Sequence, residues 1–270
     1  MIFKSLKYKK YSFYAYDWAN SPFSTIIITF IFAEYFIKVL AKDIISGTSL
    51  WGWMISLSSI MVALSGPILG IIADKKNNND HLLLVSSLLV CLFSSLLWFA
   101  NPNTINIYIF LIIIGLANFF FETSMIFYNS RLKFFSGEKI GRLSGTAWSI
   151  GYLGGIASLS LVLFLLVLPD IPIFNFDKNS YSHIRICGPF VATWFIIFGL
   201  PFLLIKTEKT KCINSSIRNE LKKFLQKLLI ILKKLTVGRF LISRMFYTDG
   251  LNTLFAFGGI YAAGTFGLNF

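Results

Sequence analysis

Two carboxylates in this chain are each followed by an amide and a hydroxyl at the same spacing: Asp17-Asn20-Ser21 and Asp249-Asn252-Thr253. Separations of three and four residues place all three side chains on one face of a helix. Such a cluster can hold a polar solute or close a gate across a cavity. At the start of a helix the aspartate can equally act as a cap, accepting orphan amide hydrogens and complementing the dipole. A third carboxylate, Glu122, interrupts a long apolar run within Asn118-Phe119-Phe120-Phe121-Glu122-Thr123. An ionised carboxylate facing lipid near mid-helix costs about 2.5–3.5 kcal/mol on insertion scales, so Glu122 should face the bundle interior, be protonated, or both. It can then carry a proton or make a structural hydrogen bond, and both roles stay open.

The elements that must position these groups follow from composition. The chain has 270 residues, of which 56% are hydrophobic, 17% aromatic and 14% charged, with a mean hydropathy of +0.70. A soluble domain carries about 25% charged residues, so the fold class is an all-α polytopic membrane protein. A crossing helix needs about 20 apolar residues. Such segments stand near residues 18–38, 50–73, 82–100, 105–127, 144–168, 187–205 and 245–268. The first follows a basic arm, but its apolar run from Phe23 to Val39 contains Glu34 and lacks a small-residue cleavage pattern, so a retained span is expected. The two triads open the first and seventh spans, as a parallel repeat of six spans requires.

A net charge of +13 invites a nucleic-acid reading, which its distribution excludes. Lysine and arginine number 20 on the side holding the N-terminal arm and 4 on the other, with Arg244 at the edge of the seventh span. The positive-inside rule makes the richer side cytoplasmic. Ten of those basic residues lie in 206–239, where Ile217, Leu221, Phe224, Leu228, Ile231 and Leu235 recur every three or four residues. That pattern is an amphipathic helix suited to an anionic inner membrane surface. The expected organisation is a six-span bundle over 1–205, a basic cytoplasmic connector over 206–239, and the first span of an incomplete second bundle over 240–270.

Other groups carry less chemistry. Cys91, Cys187 and Cys212 have no metal-ligand spacing, and His81 and His183 stand alone in expected loops on opposite sides. No metal or cofactor is called for, and no paired carboxylates, histidine cluster or Ser-Lys pair at membrane depth supports an enzyme. Gly145, Gly151, Gly154 and Gly155 in the fifth span are expected to let helix backbones approach closely. Trp18, Trp51, Trp53, Tyr108 and Trp194 fall near span ends, as interfacial aromatic belts do.

The string Gly66-Pro67-Ile68-Leu69-Gly70-Ile71-Ile72-Ala73-Asp74-Lys75 resembles the second-to-third loop signature of the major facilitator superfamily. Asn77, Asn78 and Asn79 stand where glycine and basic residues usually follow. A narrower resemblance, to the vacuole-effluxer-like branch, rests on Tyr16-Asp17-Trp18-Ala19-Asn20-Ser21-Pro22-Phe23, Phe127-Tyr128-Asn129-Ser130-Arg131-Leu132, Ser144-Gly145, Gly151-Tyr152-Leu153-Gly154-Gly155, Asp249-Gly250 and Tyr261-Ala262-Ala263-Gly264. It implies a secondary transporter of small solutes such as amino acids, working by alternating access between two six-span bundles. It also implies a cytoplasmic latch of Gly70, Asp74 and Lys75, with Arg131 and Arg142 as basic partners. Substrate and gate residues would be Asp17, Asn20, Ser21, Glu122, Asn129, Asp249, Asn252 and Thr253. The family has about twelve spans, so the chain would be an N-terminal portion whose missing C-terminal half is an expected partner. The partners otherwise implied are the lipid bilayer, a small-molecule substrate and a coupling proton, in a bacterial inner membrane. The alternative is a truncated product that does not transport, or a half-transporter that needs its second half.

Overall fold

The computed structural model describes residues 6–102, 106–136, 139–169, 176–207 and 216–266. Every regular element among them is helical. Six helices are long and apolar enough to cross a membrane: α1 (Lys7–Leu40), α2 (Ile44–Lys76), α3 (Asn79–Phe99), α4 (Ile107–Ser130), α5 (Ile140–Val167) and α6 (Ser182–Leu203). They match the first six expected spans; all but α4 start earlier than expected, and α3, α5 and α6 stop one or two residues sooner. The first begins at Lys7 because the Lys- and Tyr-rich residues ahead of residue 18 are helical although they are not apolar.

Local chemistry sets the breaks. Asp43 caps α2, accepting from Ser46 N at 2.8 Å, and Asn106 caps α4, accepting from Tyr108 N at 3.0 Å. α2 ends where Asn77 adopts φ 57°, a left-handed residue whose own amide and that of Asn78 both return to the Ala73 carbonyl. Asparagine enters this region more readily than other non-glycine residues, which lets Asn77 end the helix. Pro22, inside α1, has no amide hydrogen to give to the Trp18 carbonyl. From Phe23 to Phe30 the helix widens into π turns, and again over Phe36–Leu40.

Buried side chains make α1 the central helix: 56% of its apolar window is buried, against 6% for α2. α1 packs on α5 and α6, α3 on α4 and α6, and α2 on α4. One apolar cluster, around Phe23, Phe32, Phe36, Trp51 and Phe110, fills one end of the bundle. A second, around Phe13, Tyr16, Tyr128, Phe135, Phe195 and Phe202, fills the other. Trp51, expected in an interfacial belt, is fully buried against Phe36. Trp53 and Tyr108 do face outward, at 73% and 57% exposure.

Two further helices follow: α7 (Ile217–Lys233), amphipathic and exposed except for half-buried Glu220 and Leu221, and α8 (Leu235–Phe266). The chain bends at Lys234, whose ψ is 115°, and Gly238 then lies so close to the Leu232 carbonyl that a side chain there would overlap it. α8 takes in the expected seventh span but starts well before residue 245, and residues 267 and 268 fall outside the described part. It is not among the six membrane-length apolar helices, because Arg239, Arg244, Asp249 and Asn252 dilute its hydropathy.

Candidate functional site

The first triad sits in a buried polar seam between α1 and α4. Asp17 and Asn20 are 8% and 4% exposed. Asn20 Nδ2 donates to Asp17 Oδ1 at 3.4 Å and meets Met125 Sδ of α4 at the same distance. The Tyr128 hydroxyl, also from α4, donates to the Phe13 carbonyl at 3.2 Å and interacts with the Asp17 carboxylate. Tyr16 stacks on Tyr128 with ring centroids 4.7 Å apart and shares a 2.9 Å hydrogen bond with Ser87 of α3. Asp17 therefore lies well inside α1 and caps nothing, which excludes the capping role for it. Asp249 likewise lies far from the Leu235 start of α8.

Small residues of α5 close the other side of the seam. A Cβ on Gly154 would fall 2.7 Å from the Trp18 carbonyl oxygen, one on Gly151 2.9 Å from Ser21 Oγ, and one on Gly155 2.7 Å from Thr25 Oγ1. The glycine run and the triad are thus two faces of one interface, a link that spacing within either segment does not reveal. Gly145 does not belong to it: a Cβ there would meet nothing within 4 Å. The buried stripe of α5 runs through Leu143, Ala147, Gly151, Gly154 and Ser158, and Gly145 lies two residues off that register. The Trp18 carbonyl, which Pro22 deprives of its i+4 amide donor, accepts from Trp194 Nε1 of α6 at 3.3 Å. The two indoles stack at 5.8 Å, so these tryptophans tie helices together.

Glu122 does not point into the packed interior of the six spans. It is exposed, and with Ile126 and Asn129 it forms an uncovered stripe of α4, because Phe121, Thr123, Ser124, Phe127 and Tyr128 already occupy the inward face. The second triad is also bare: Asp249, Asn252 and Thr253 are all exposed. One local bond nevertheless repeats the first. Thr253 Oγ1 donates to the Asp249 carbonyl at 2.9 Å, as Ser21 Oγ does to the Asp17 carbonyl at 2.7 Å. α8 touches α1 above the first triad, where a Cβ on Gly259 would fall 2.7 Å from the Thr29 carbonyl oxygen. Sequence reasoning overlooked Asn118, whose amide is buried in α4 and donates to Ser58 Oγ of α2 at 2.7 Å. An amide within so apolar a run was the available signal.

The expected pairing of Arg131 with Asp74 is replaced by another. Arg131 Nη2 donates to Asp80 Oδ1 at 2.6 Å, its guanidinium lies 5.2 Å from the Phe202 ring centroid, and Nη1 reaches the Ile205 carbonyl at 3.5 Å. Asp80 also accepts from Thr207, at 2.8 Å from its amide and 2.7 Å from its hydroxyl. This clasp joins the start of α3, the end of α4 and the chain beyond α6. Burial pulls the Arg131 guanidinium below its usual value, and the Asp80 carboxylate opposes that shift. Asp74 is exposed and meets Asn79 Nδ2 at 3.5 Å, Gly70 has open space around it, and Arg142 is exposed at the start of α5. Lys75 is half-buried. Glu34, near the far end of α1, pairs with Lys38.

No group of three histidine, cysteine, aspartate or glutamate side chains that could hold a metal occurs among the described residues. Cys91 and Cys187 are buried free thiols, and Cys212 lies outside the described residues. Neither histidine is in a loop: exposed His81 starts α3, and buried His183 stacks on Tyr181 at the start of α6.

Comparison with known proteins agrees with this architecture. The signature of the Major Facilitator Superfamily matches residues 3–159, and that of the family described as vacuole effluxer Atg22 like matches residues 136–270. A protein of Bacillus subtilis (strain 168) named as an uncharacterized MFS-type transporter, YxiO, is 24% identical over 264 residues, which cover 93% of this chain and 59% of that protein. The chain therefore spans about three-fifths of the length of the curated relative it matches. No solved structure matches it. With matched segments that together run from residue 3 to residue 270 over six membrane-length helices, the chain belongs to the major facilitator superfamily, within its vacuole-effluxer-like branch.

Proposed function

We propose that the chain supplies the first bundle and the next helix of a secondary transporter that moves small solutes by alternating access, with amino acids the first class to test. The observation that carries this reading is the triad built twice. One copy is seated between α1, α4 and α5; the other is presented bare on α8. The Gly259–Thr29 contact supports their correspondence. It falls ten residues beyond Asp249 on α8 and twelve beyond Asp17 on α1, so both triads precede the contact by a similar length of helix. Polar groups left uncovered in lipid are costly, and Glu122, Asn129, Asp249 and Asn252 together ask for a polar cavity. In a two-bundle protein that cavity lies between the halves. Glu122 is the residue we assign to the coupling proton.

In this reading the Lys7 end of α1 and the end of α2 face the cytoplasm across a bacterial inner membrane, and the basic connector lies against the inner leaflet. Support comes from the charge asymmetry and from α7, whose apolar residues other than Leu221 stay exposed beside Arg218, Lys222, Lys223, Lys227 and Lys233. Gly70, Asp74 and Lys75 are left for a latch partner in a second half, since Arg131 is committed to Asp80.

A second reading, a half-transporter that works only with its complement, is favoured by the bare second triad and by the three-fifths coverage of the relative. The test is uptake of labelled amino acids into proteoliposomes under an imposed pH gradient. This chain is assayed alone and together with the C-terminal half of a vacuole-effluxer-like homologue. Uptake in either arrangement that Asp17→Asn abolishes supports transport, and dependence on the added half selects the second reading. Uptake no greater than in empty vesicles in both arrangements sinks transport. Gradient-driven uptake left unchanged by Glu122→Gln removes the proton from Glu122.

A further inference from the structure

A recess of about 280 Å³ opens where α1 and α5 emerge on the basic side of the bundle, lined by Lys10, Tyr14, Ser136, Lys139, Arg142 and Leu143. Three of those six residues are cations, drawn from two helices far apart in sequence. None of the three is in an ion pair among the described residues, whereas Arg131, a short way along the chain, is tightly paired with Asp80. Gathering three like charges around one concavity raises their mutual repulsion unless an anion joins them.

The recess also receives the N-terminus of a 23-residue α-helical stretch, Ile140–Val162, whose N-cap is Lys139 and makes no side-chain cap. Its first amides lack the acceptor that a serine or aspartate would supply, and the helix dipole favours negative charge there. The guanidinium of Arg142 and the ammonium groups of Lys10 and Lys139 around one recess are donors that take a phosphoryl oxygen. Tyr14 adds a hydroxyl and Leu143 an apolar wall. Both Lys10 and Tyr14 precede the apolar core of α1, which places the recess at the depth of lipid head groups.

We propose that this recess binds a phosphoryl anion, the head group of an anionic phospholipid or free phosphate. The site lies apart from the polar seam at Asp17 and holds whether or not the chain transports anything.

The test uses the whole chain in nanodiscs and two probes. Inorganic phosphate is titrated in discs of phosphatidylcholine alone, and retention of phosphatidylglycerol over phosphatidylcholine is read by native mass spectrometry from mixed discs. Each is repeated with Lys139→Gln/Arg142→Gln, and with Lys76→Gln/Lys206→Gln, which removes the same charge elsewhere on that side. Both pairs are exposed, and thermal melting checks that each variant folds. Phosphate binding weakened about tenfold or more by the recess pair alone supports a free-phosphate site. Selective loss of phosphatidylglycerol retention by the recess pair alone supports a head-group site. Equal losses in both pairs, or no binding of either probe by the unaltered chain, overturns the proposal. Arg142→Lys should keep most of the binding, since the charge remains.

Discussion

The two Asp-x-x-Asn-Ser/Thr segments are alike in sequence and in local geometry, yet they occupy opposite environments. In both, the hydroxyl turns back to the aspartate carbonyl, at 2.7 Å for Ser21 and 2.9 Å for Thr253. Around the first, α4 supplies Met125 and Tyr128 and α5 supplies glycines that touch its backbone. Around the second there is no such seat. The face of a helix is set by spacing, but whether that face is a binding wall, a packing seam or an open surface is set by its neighbours.

Paired substitutions would sharpen or break this contrast. The largest difference is expected between Gly154→Leu and Gly258→Leu. The first drives a side chain into the Trp18 backbone and should destabilise the bundle by about 3 kcal/mol or prevent its isolation as a monodisperse species. The second meets open space and should melt with the unaltered chain. Similar melting of the two in detergent would show that α1 and α5 are not locked at the triad. A smaller gap is expected between Asp17→Ala and Asp249→Ala. Losing Asp17 strips Asn20 of a buried acceptor and removes the carboxylate beside the Tyr128 hydroxyl, which should lower stability by about 1–3 kcal/mol, whereas losing Asp249 should change it by less than about 0.5 kcal/mol. Equal effects would mean that the second triad is also seated. The smallest effects are reserved for Ser21→Ala and Thr253→Ala. Each removes only a bond to its own helix, so the two should differ by less than about 0.5 kcal/mol. A Ser21→Ala shift several times that of Thr253→Ala would show that the Ser21 hydroxyl stabilises the seam with Gly151 beyond the bond to its own helix.

Six spans were legible because apolar length has no competing explanation in so hydrophobic a chain. The closeness of α1 and α5 was half legible: Gly151, Gly154 and Gly155 announced a close approach without naming the partner. Arg131 shows why the rest was hidden. Asp74 and Asp80 stand six residues apart at the same end of the bundle, and the choice between them depends on Thr207 arriving from beyond α6. Glu122 was read from its cost in lipid, which constrains what must cover it but not which surface does. Trp51 was misplaced because an aromatic near a span end looks the same in sequence whether it faces head groups or Phe36.

The π turns that begin after Pro22 have a consequence for anyone aligning or engineering the first span. Each turn of that kind takes up more residues than an α turn, so the phase of the helix slips between Phe23 and Phe30. Counting threes and fours upward from Asp17 past that point assigns side chains to the wrong side. The count has to be restarted above the slip, and a one-residue deletion there would turn the upper half of the span relative to the lower half while leaving its composition almost unchanged.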